Sequence, residues 1–289
     1  MELYGKVITT NAKDRIIKLQ CSDRICFFHM TRRQFKDYGT YFYRNPYVFI
    51  VVDAAKKKYG NQLCYEVGYF RKIIKGTRTQ KETYFNIDVI RQGLKQLIGN
   101  TKNKLFLDLE FSLPSYYQTM MHIPEILQYG VVVEDENNNI VFQEGSLVKP
   151  LRKFAINNRT LKFLSKTNEQ FEEAKSYIEF YQMLEKLIRD YDPKVIAWGK
   201  NDILTMEQSF RLNHLKPLEV RSRYINLMQV IKNYYNTNTD LGLFSTYQEM
   251  SKEVLEQQQH DAMEDALMAR NIYHLFTKII DKEVKTKRD

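Results

Sequence analysis

Asp108 and Glu110 stand two residues apart in the run Leu105-Phe106-Leu107-Asp108-Leu109-Glu110-Phe111-Ser112. The run reads as a buried strand. Alternation along a strand sends both carboxylates from one face, while Leu105, Leu107 and Leu109 leave the other. A lone Asp-x-Glu is most often a solvated strand end. Here two further acids stand where polar turns meet apolar segments: Asp202, after Trp198-Gly199-Lys200-Asn201, and Asp265, five residues beyond His260. Four carboxylates and an imidazole suit hard divalent cations, which prefer oxygen to thiolate ligands. Such a set could hold divalent metal ions and activate a water. A histidine, whose unperturbed pKa lies near neutrality, can take the water's proton.

These side chains need a scaffold. Residues 128–133 read as a strand, Asn137-Asn138-Asn139 as a turn and residues 140–143 as the returning strand, so a hairpin follows the acid strand. Apolar spacing predicts a helix over 171–189, ended by Asp192-Pro193. A short buried strand is expected at 195–198, a helix at 202–212, another around 224–235 and a last one over 261–280. Asp261-x-x-Glu264 reads as a capping box, which puts His260 just before the last helix and Asp265 in its first turns. Ala262, Ala266 and Ala269 are small enough to let that helix lie close to the acid strand. Asp261, Glu264 and Glu207 read as surface or cap residues, His122, His214 and His274 as structural, and Trp198 as core. Strands first, then helices with an inserted parallel strand, predict an α/β mixed sheet flanked by helices.

The ordered motifs Asp108-x-Glu110, Asp202 opening a helix, and His260-x4-Asp265 resemble those of the DEDDh exonuclease family, and the elements resemble the ribonuclease-H-like fold, over about residues 103–280. Asp108-Leu109-Glu110-Phe111-Ser112-Leu113-Pro114, Pro124-Glu125-Ile126, Val148-Lys149-Pro150 and Trp198-Gly199 are similar to the KapD-like and histone-mRNA-trimming group of that family. The resemblance implies a metal-dependent 3′→5′ exonuclease that releases nucleoside 5′-monophosphates with two divalent ions, Mg²⁺ or Mn²⁺. It implies that Asp108 bridges the ions, that Glu110 and Asp265 complete the nucleophile side, that Asp202 supports the leaving-group side, and that His260 is the general base. It further implies that Phe111 contacts the terminal nucleotide. Single-stranded RNA is the favoured substrate and single-stranded DNA the alternative. A third reading, a regulatory nucleic-acid binder with a vestigial site, is disfavoured by the intact acid set.

The remainder is differently charged. The chain carries a net +9, yet residues 1–104 hold 21 Lys/Arg against 8 Asp/Glu, which leaves the rest slightly acidic. A basic part joined to an acid-bearing part suggests a polyanion-binding module attached to a metal-binding one. Residues 5–10, 15–20, 24–29, 47–52 and 63–67 read as five short strands of a small all-β barrel. Gly5-x-Val7 and Ile25-Cys26-Phe27-Phe28-His29 resemble cold-shock and related OB-fold domains, which makes Phe27 and His29 candidate base-stacking residues. Tyr41 and Tyr43, beside Arg44 and near Arg32 and Arg33, add aromatics interleaved with base, a pattern suited to single strands. The expected organisation is an OB-like barrel over 1–75, a helical linker over 76–103 containing a helix at 87–98, and the nuclease domain over 104–289. Cys21, Cys26 and Cys64 have no zinc-like spacing and read as reduced cysteines packed in strands. No apolar run is long enough to span a bilayer and no leader-like stretch is visible, so no membrane partner and a cytoplasmic location are expected.

Overall fold

Alternating apolar residues in the first part of the chain close into a barrel. The structure, a computed structural model, describes residues 1–76, 81–116, 121–237, 239–253 and 260–285, and it divides into two units, Met1–Leu94 and Lys95–Asp289. In the first, β1 (Glu2–Asn11), β2 (Ile16–Cys21) and β3 (Arg24–His29) form an antiparallel meander. Helix α1 (Arg32–Phe42) follows, then β4 (Tyr47–Tyr59), β5 (Gln62–Gly76) and β6 (Lys81–Asn86). β4 returns to pair with β1, and β3 runs parallel to β5 at Phe28↔Tyr65 and His29↔Glu66, so five strands close in the order β1-β2-β3-β5-β4. Val7, Ile17, Leu19, Phe28, Ile50 and Phe70 fill the interior. Where β1 crosses β2 there is room only for a glycine, because a Cβ on Gly5 would lie 2.4 Å from the Gln20 carbonyl oxygen. This is the expected OB-like barrel, and the three cysteines are buried and free.

Two features of this unit depart from expectation. Residues 32–42 form a helix, α1, where only aromatics interleaved with base are expected. A capping box between Thr31 and Gln34 starts α1, and Phe35, Tyr38 and Tyr41 pack against the barrel core beside the fully buried Phe42. β6 lies in the stretch expected to be linker and pairs with β5. Of the expected linker, residues 77–80 lie outside the described residues.

Helix α2 (Ile87–Gly99) forms where its apolar spacing predicts. β7 (Lys104–Phe111), β8 (Ile126–Glu134) and β9 (Ile140–Lys149) then form an antiparallel meander. α3 (Asn158–Leu164), α4 (Asn168–Glu172), β10 (Lys175–Ser176), α5 (Tyr177–Tyr191), β11 (Lys194–Ala197) and α6 (Asn201–Leu212) follow. β12 (Tyr224–Asn226), α7 (Leu227–Tyr235), α8 (Leu243–Ser251) and α9 (Ala262–Lys285) complete the unit. The sheet order is β10-β9-β8-β7-β11-β12, with β11 parallel to both β7 and β12. Leu105, Leu107 and Leu109 face a core shared with Tyr181 and Leu184 of α5 and Phe210 of α6. On the other face Phe106 meets Tyr273 of α9 edge to face. This is the expected ribonuclease-H-like mixed sheet flanked by helices.

The expected helix over 171–189 is broken: Phe171 belongs to α4, and a new helix starts only at Tyr177. Ser176 and Glu179 form a capping box there, and a residue held as an N-cap has non-helical backbone. The helix expected around 224–235 begins at Leu227, because Tyr224–Asn226 pairs with β11 as a parallel edge strand. Among the described residues no helix is long and apolar enough to cross a membrane.

Candidate active site

The acid strand sits at the centre of its sheet, and two other elements, α6 and the start of α9, bring side chains to its C-terminal half. Asp108 pairs in register with Gly130, which pairs with Gly145. Paired residues share a face, so a row without side chains extends sideways from Asp108. The start of α9 lies on that row. A Cβ at Gly130 would come within 2.0 Å of the Ala262 carbonyl oxygen, and one at Gly145 within 2.8 Å of the Met263 Cβ. Ala262, Ala266 and Ala269 are buried against the sheet. The close approach puts Asp265 beside Glu110, both at most 8% exposed.

Asp261 fixes the helix start. Its Oδ1 accepts from the N–H groups of Met263 (3.0 Å) and Glu264 (3.3 Å), as expected of a cap. Its Oδ2 accepts from Gln128 Nε2 at 2.7 Å, and Gln128 is the register partner of Glu110. The cap is therefore tied directly to the strand pair that carries the acid.

Asp202 arrives by a different route. β11 pairs with β7 only as far as Phe106, which leaves the next part of that strand edge without a β partner. Asp202, in the first turn of α6, accepts the N–H of Leu109 at 3.2 Å and so satisfies a buried backbone donor. The turn before it carries Gly199 at φ +96°, a conformation open to glycine and strained for other residues. Tyr224 Oη donates to the Gly199 carbonyl at 2.5 Å and braces that turn.

Burial and crowding drive up the acid pKa values. Glu110 is pushed up to about 8 by burial first, then by Asp265, Asp202 and Asp261. Asp108 is raised well above the carboxylate range by burial, then by Asp202, Asp265 and Glu110. Asp202 is raised to about 7 by burial, against the pull of its own N–H and that of Leu109. Tyr224 is raised by burial, then by Asp202 and Asp108, which marks it as their neighbour. Among the described residues no Lys or Arg forms an ion pair with Asp108, Glu110 or Asp202. Like charges crowded in a site of low polarity take up protons or cations. Oxygen-rich donors of this kind fit divalent ions, and ligand atoms of Glu110, His260 and Asp265 all lie within 4.8 Å of one another.

His260 precedes α9 in an irregular segment, with a side chain 44% exposed and Nδ1 3.9 Å from Glu110 Oε1. Its ring stacks on Phe163 of α3, centroids 4.4 Å apart and planes at 27°. The structure thus assembles Asp108, Glu110, Asp202, Asp265 and His260. Phe111 is half-buried and packs against the main core. His122 bonds to Ser112, and His274 to the buried Glu134. Sequence reading missed Phe163, Gln128, Tyr224 and the paired glycines. The glycines opposite Asp108 were the one visible signal, because two glycines within strands mark a close backbone approach.

The proposed strand-binding residues of the barrel fall into two groups. Phe27 and His29 project outward from β3. The Lys18 ammonium lies 5.8 Å from the Phe27 ring centre, and His29 stacks on Tyr59 at 3.6 Å. Burial and Arg15 lower the pKa of His29. A cleft of about 340 Å³ is lined by Lys18, Phe27, Tyr59 and Asn61. Arg32, Arg33, Tyr41 and Tyr43 do not join this cleft. They ride on α1 or its C-cap, and Tyr41 stacks on Tyr84 at 5.0 Å. Helix formation explains the separation, because the stripe that includes Phe35, Tyr38 and Phe42 turns Tyr41 onto the barrel as well.

A family model described as exonuclease matches residues 105–273. A probable 3′-5′ exonuclease, KapD of Bacillus subtilis (strain 168), is 28% identical over 178 residues, covering 61% of this chain and 84% of that protein. The nuclease domain of 3′hExo, a DEDDh family member solved bound to rAMP, is similar in structure with a TM-score of 0.53 and 14% identity, over 63% of this chain and 94% of that one. Cell-death related nuclease 4 superposes with a TM-score of 0.51 and 18% identity, over 63% and 64% of the two chains.

Proposed function

The chain belongs to the exonuclease family matched over residues 105–273, and from that premise we propose that it is a 3′→5′ exonuclease of the DEDDh type that trims single-stranded RNA to nucleoside 5′-monophosphates. One observation carries the reading. Three elements remote in sequence, β7, α6 and the start of α9, bring four carboxylates together with one imidazole beside them. Asp108, Glu110, Asp202 and Asp265 would hold two divalent ions, Mg²⁺ or Mn²⁺. When bound, these supply Lewis acidity and neutralise charge at the scissile phosphate.

The chain's own residues do the rest. His260 turns Nδ1 toward Glu110, and that nitrogen takes the proton of the attacking water. The imidazole is reachable from solvent, so the proton leaves to bulk water after each turnover. Leu109 N–H and Tyr224 hold Asp202 and its turn rigid, so geometry is set before substrate arrives. Outward-facing Phe27 and Lys18 on the barrel support a second role, holding the incoming strand by stacking and charge.

RNA is favoured on the resemblance to RNA-trimming members of the family, and KapD is itself described as a 3′-5′ exonuclease. The test is a time course on 5′-labelled single-stranded RNA and the same DNA sequence, with Mg²⁺, Mn²⁺ or EDTA. Stepwise shortening of RNA that needs metal and stops at a 3′-phosphate is expected. Faster shortening of DNA moves the substrate to DNA. Binding without mononucleotide release makes the protein a binder, and internal cuts in a circular strand make it an endonuclease.

A further inference from the structure

Among the described residues, the contacts of the His260 ring are the face of Phe163 and, at 3.9 Å, the Glu110 carboxylate. The imidazole is partly exposed and lies outside any helix, and among the described residues no hydrogen bond fixes its plane. A general base must keep one nitrogen aimed at a fixed point, so something has to restrict rotation of this side chain.

Helix α3 is built to do this. Its N-cap Asn157 accepts the N–H groups of Arg159 and Thr160, both at 3.1 Å, and donates from Nδ2 to the Leu113 carbonyl at 2.8 Å. Thr160 Oγ1 accepts the N–H of Leu113 at 3.0 Å. The start of α3 is thereby pinned to the chain three residues beyond Glu110. Leu164 is buried with Leu127 and Phe171, and Phe163 packs against that small core. Beyond the helix, Lys166 Nζ lies 4.0 Å from Asp261 Oδ2, next to His260. One short helix thus grips the exit of the acid strand at one end and the approach to α9 at the other.

We propose that Phe163 is a positioning residue for the exonuclease reaction: its ring sets the plane of His260 and aims Nδ1 at the acid cluster. The inference rests on His260 being the general base. Phe163→Leu keeps an apolar side chain in the small core and removes the flat face. It is expected to lower kcat on a short 5′-labelled RNA with Mn²⁺ by about 10- to 100-fold, the upper figure being the loss that a misplacement of about 1 Å can cause. KM should stay within about twofold, because the substrate is not touched. Phe163→Tyr should restore kcat. In a His260→Ala background, Phe163→Leu should cost nothing further, because its partner is gone. In the full-length wild-type protein, the His260 ring protons should resonate upfield, under the ring current of Phe163, whatever the fate of any variant.

Wild-type kcat in Phe163→Leu, an equal loss in the His260→Ala background, failure of Phe163→Tyr to rescue, or unshifted His260 resonances would each overturn the assignment. If His260→Ala itself keeps wild-type turnover, the general-base reading falls and takes this inference with it. An inactive His260→Ala beside a fully active Phe163→Leu removes only the role of Phe163.

Discussion

The two units handle charge in opposite ways. On the barrel, a cation stands beside an outward aromatic ring, as Lys18 does over Phe27. Such charges stay solvated, cost little, and are screened by salt. In the nuclease unit, Glu110, Asp202 and Asp265 are all buried, near the end of β7 and in the first turns of α6 and α9. Buried like charges are costly unless a cation offsets them. An exposed basic surface suits a long polymer held in many registers, whereas a buried acid cluster suits one reacting phosphate held in a single geometry.

The largest effects should come from the acid cluster. Asp108→Ala should reduce mononucleotide release to the limit of detection while circular dichroism shows the fold unchanged, because each carboxylate would serve the shared metal set. Retained activity after metal stripping and readdition would erase the distinction between the two units. His260→Ala should lose about 10²–10⁴-fold in kcat, with metal binding by calorimetry preserved.

A smaller effect should come from the barrel, and it should fall on binding. Phe27→Ala should weaken long-RNA binding by about 1–3 kcal/mol if the ring stacks on a base, with turnover on a short oligomer unchanged. Lys18→Gln should make the log–log salt slope shallower by about 0.7, the share of one neutralised phosphate on a single strand. Tyr43→Ala, at the C-cap of α1 and outside the cleft that Phe27 lines, should change neither. Equal losses at Tyr43 and Phe27 would return the α1 aromatics to the binding face.

The smallest effect is on stability. Without metal, Glu110 keeps its proton up to about pH 8, whereas an unfolded chain releases it in the ordinary carboxylate range. Between those limits the folded state binds more protons, so stability of the metal-free protein should fall as pH rises through that window and level off above it. Asp108→Asn should soften the slope and raise the metal-free Tm at pH 8 by about 2–4 °C, the shift expected for roughly 1 kcal/mol in a unit of this size. Melting curves in EDTA between pH 5 and 9 measure both, and saturating Mn²⁺ should flatten the wild-type slope.

Much of this was legible in residues 105–111, 128–143 and 261–280, where period and caps speak for single elements. The acids and His260 were named from order and spacing. The helix α3 was not, because seven residues around a Phe and two Leu give too short a stripe to separate from a loop. β12 was read as helix for the complementary reason: three residues carry no period, and pairing with β11 decides their state. Tyr41 groups with Arg32 and Arg33 as a strand-binding candidate in the sequence, whereas α1 turns its ring onto Tyr84 of the barrel.

By itself the sequence determined which residues are candidates for the chemistry, the barrel-plus-sheet division of the chain and the uneven charge, since composition and local period act within a few residues. Only the tertiary structure decided that Gly130 and Gly145 make room for α9, that Leu109 N–H holds Asp202, and that Phe163 faces His260. Each of these joins residues separated by dozens of positions. No local propensity encodes such a contact, because it exists only once packed elements have fixed both partners in space.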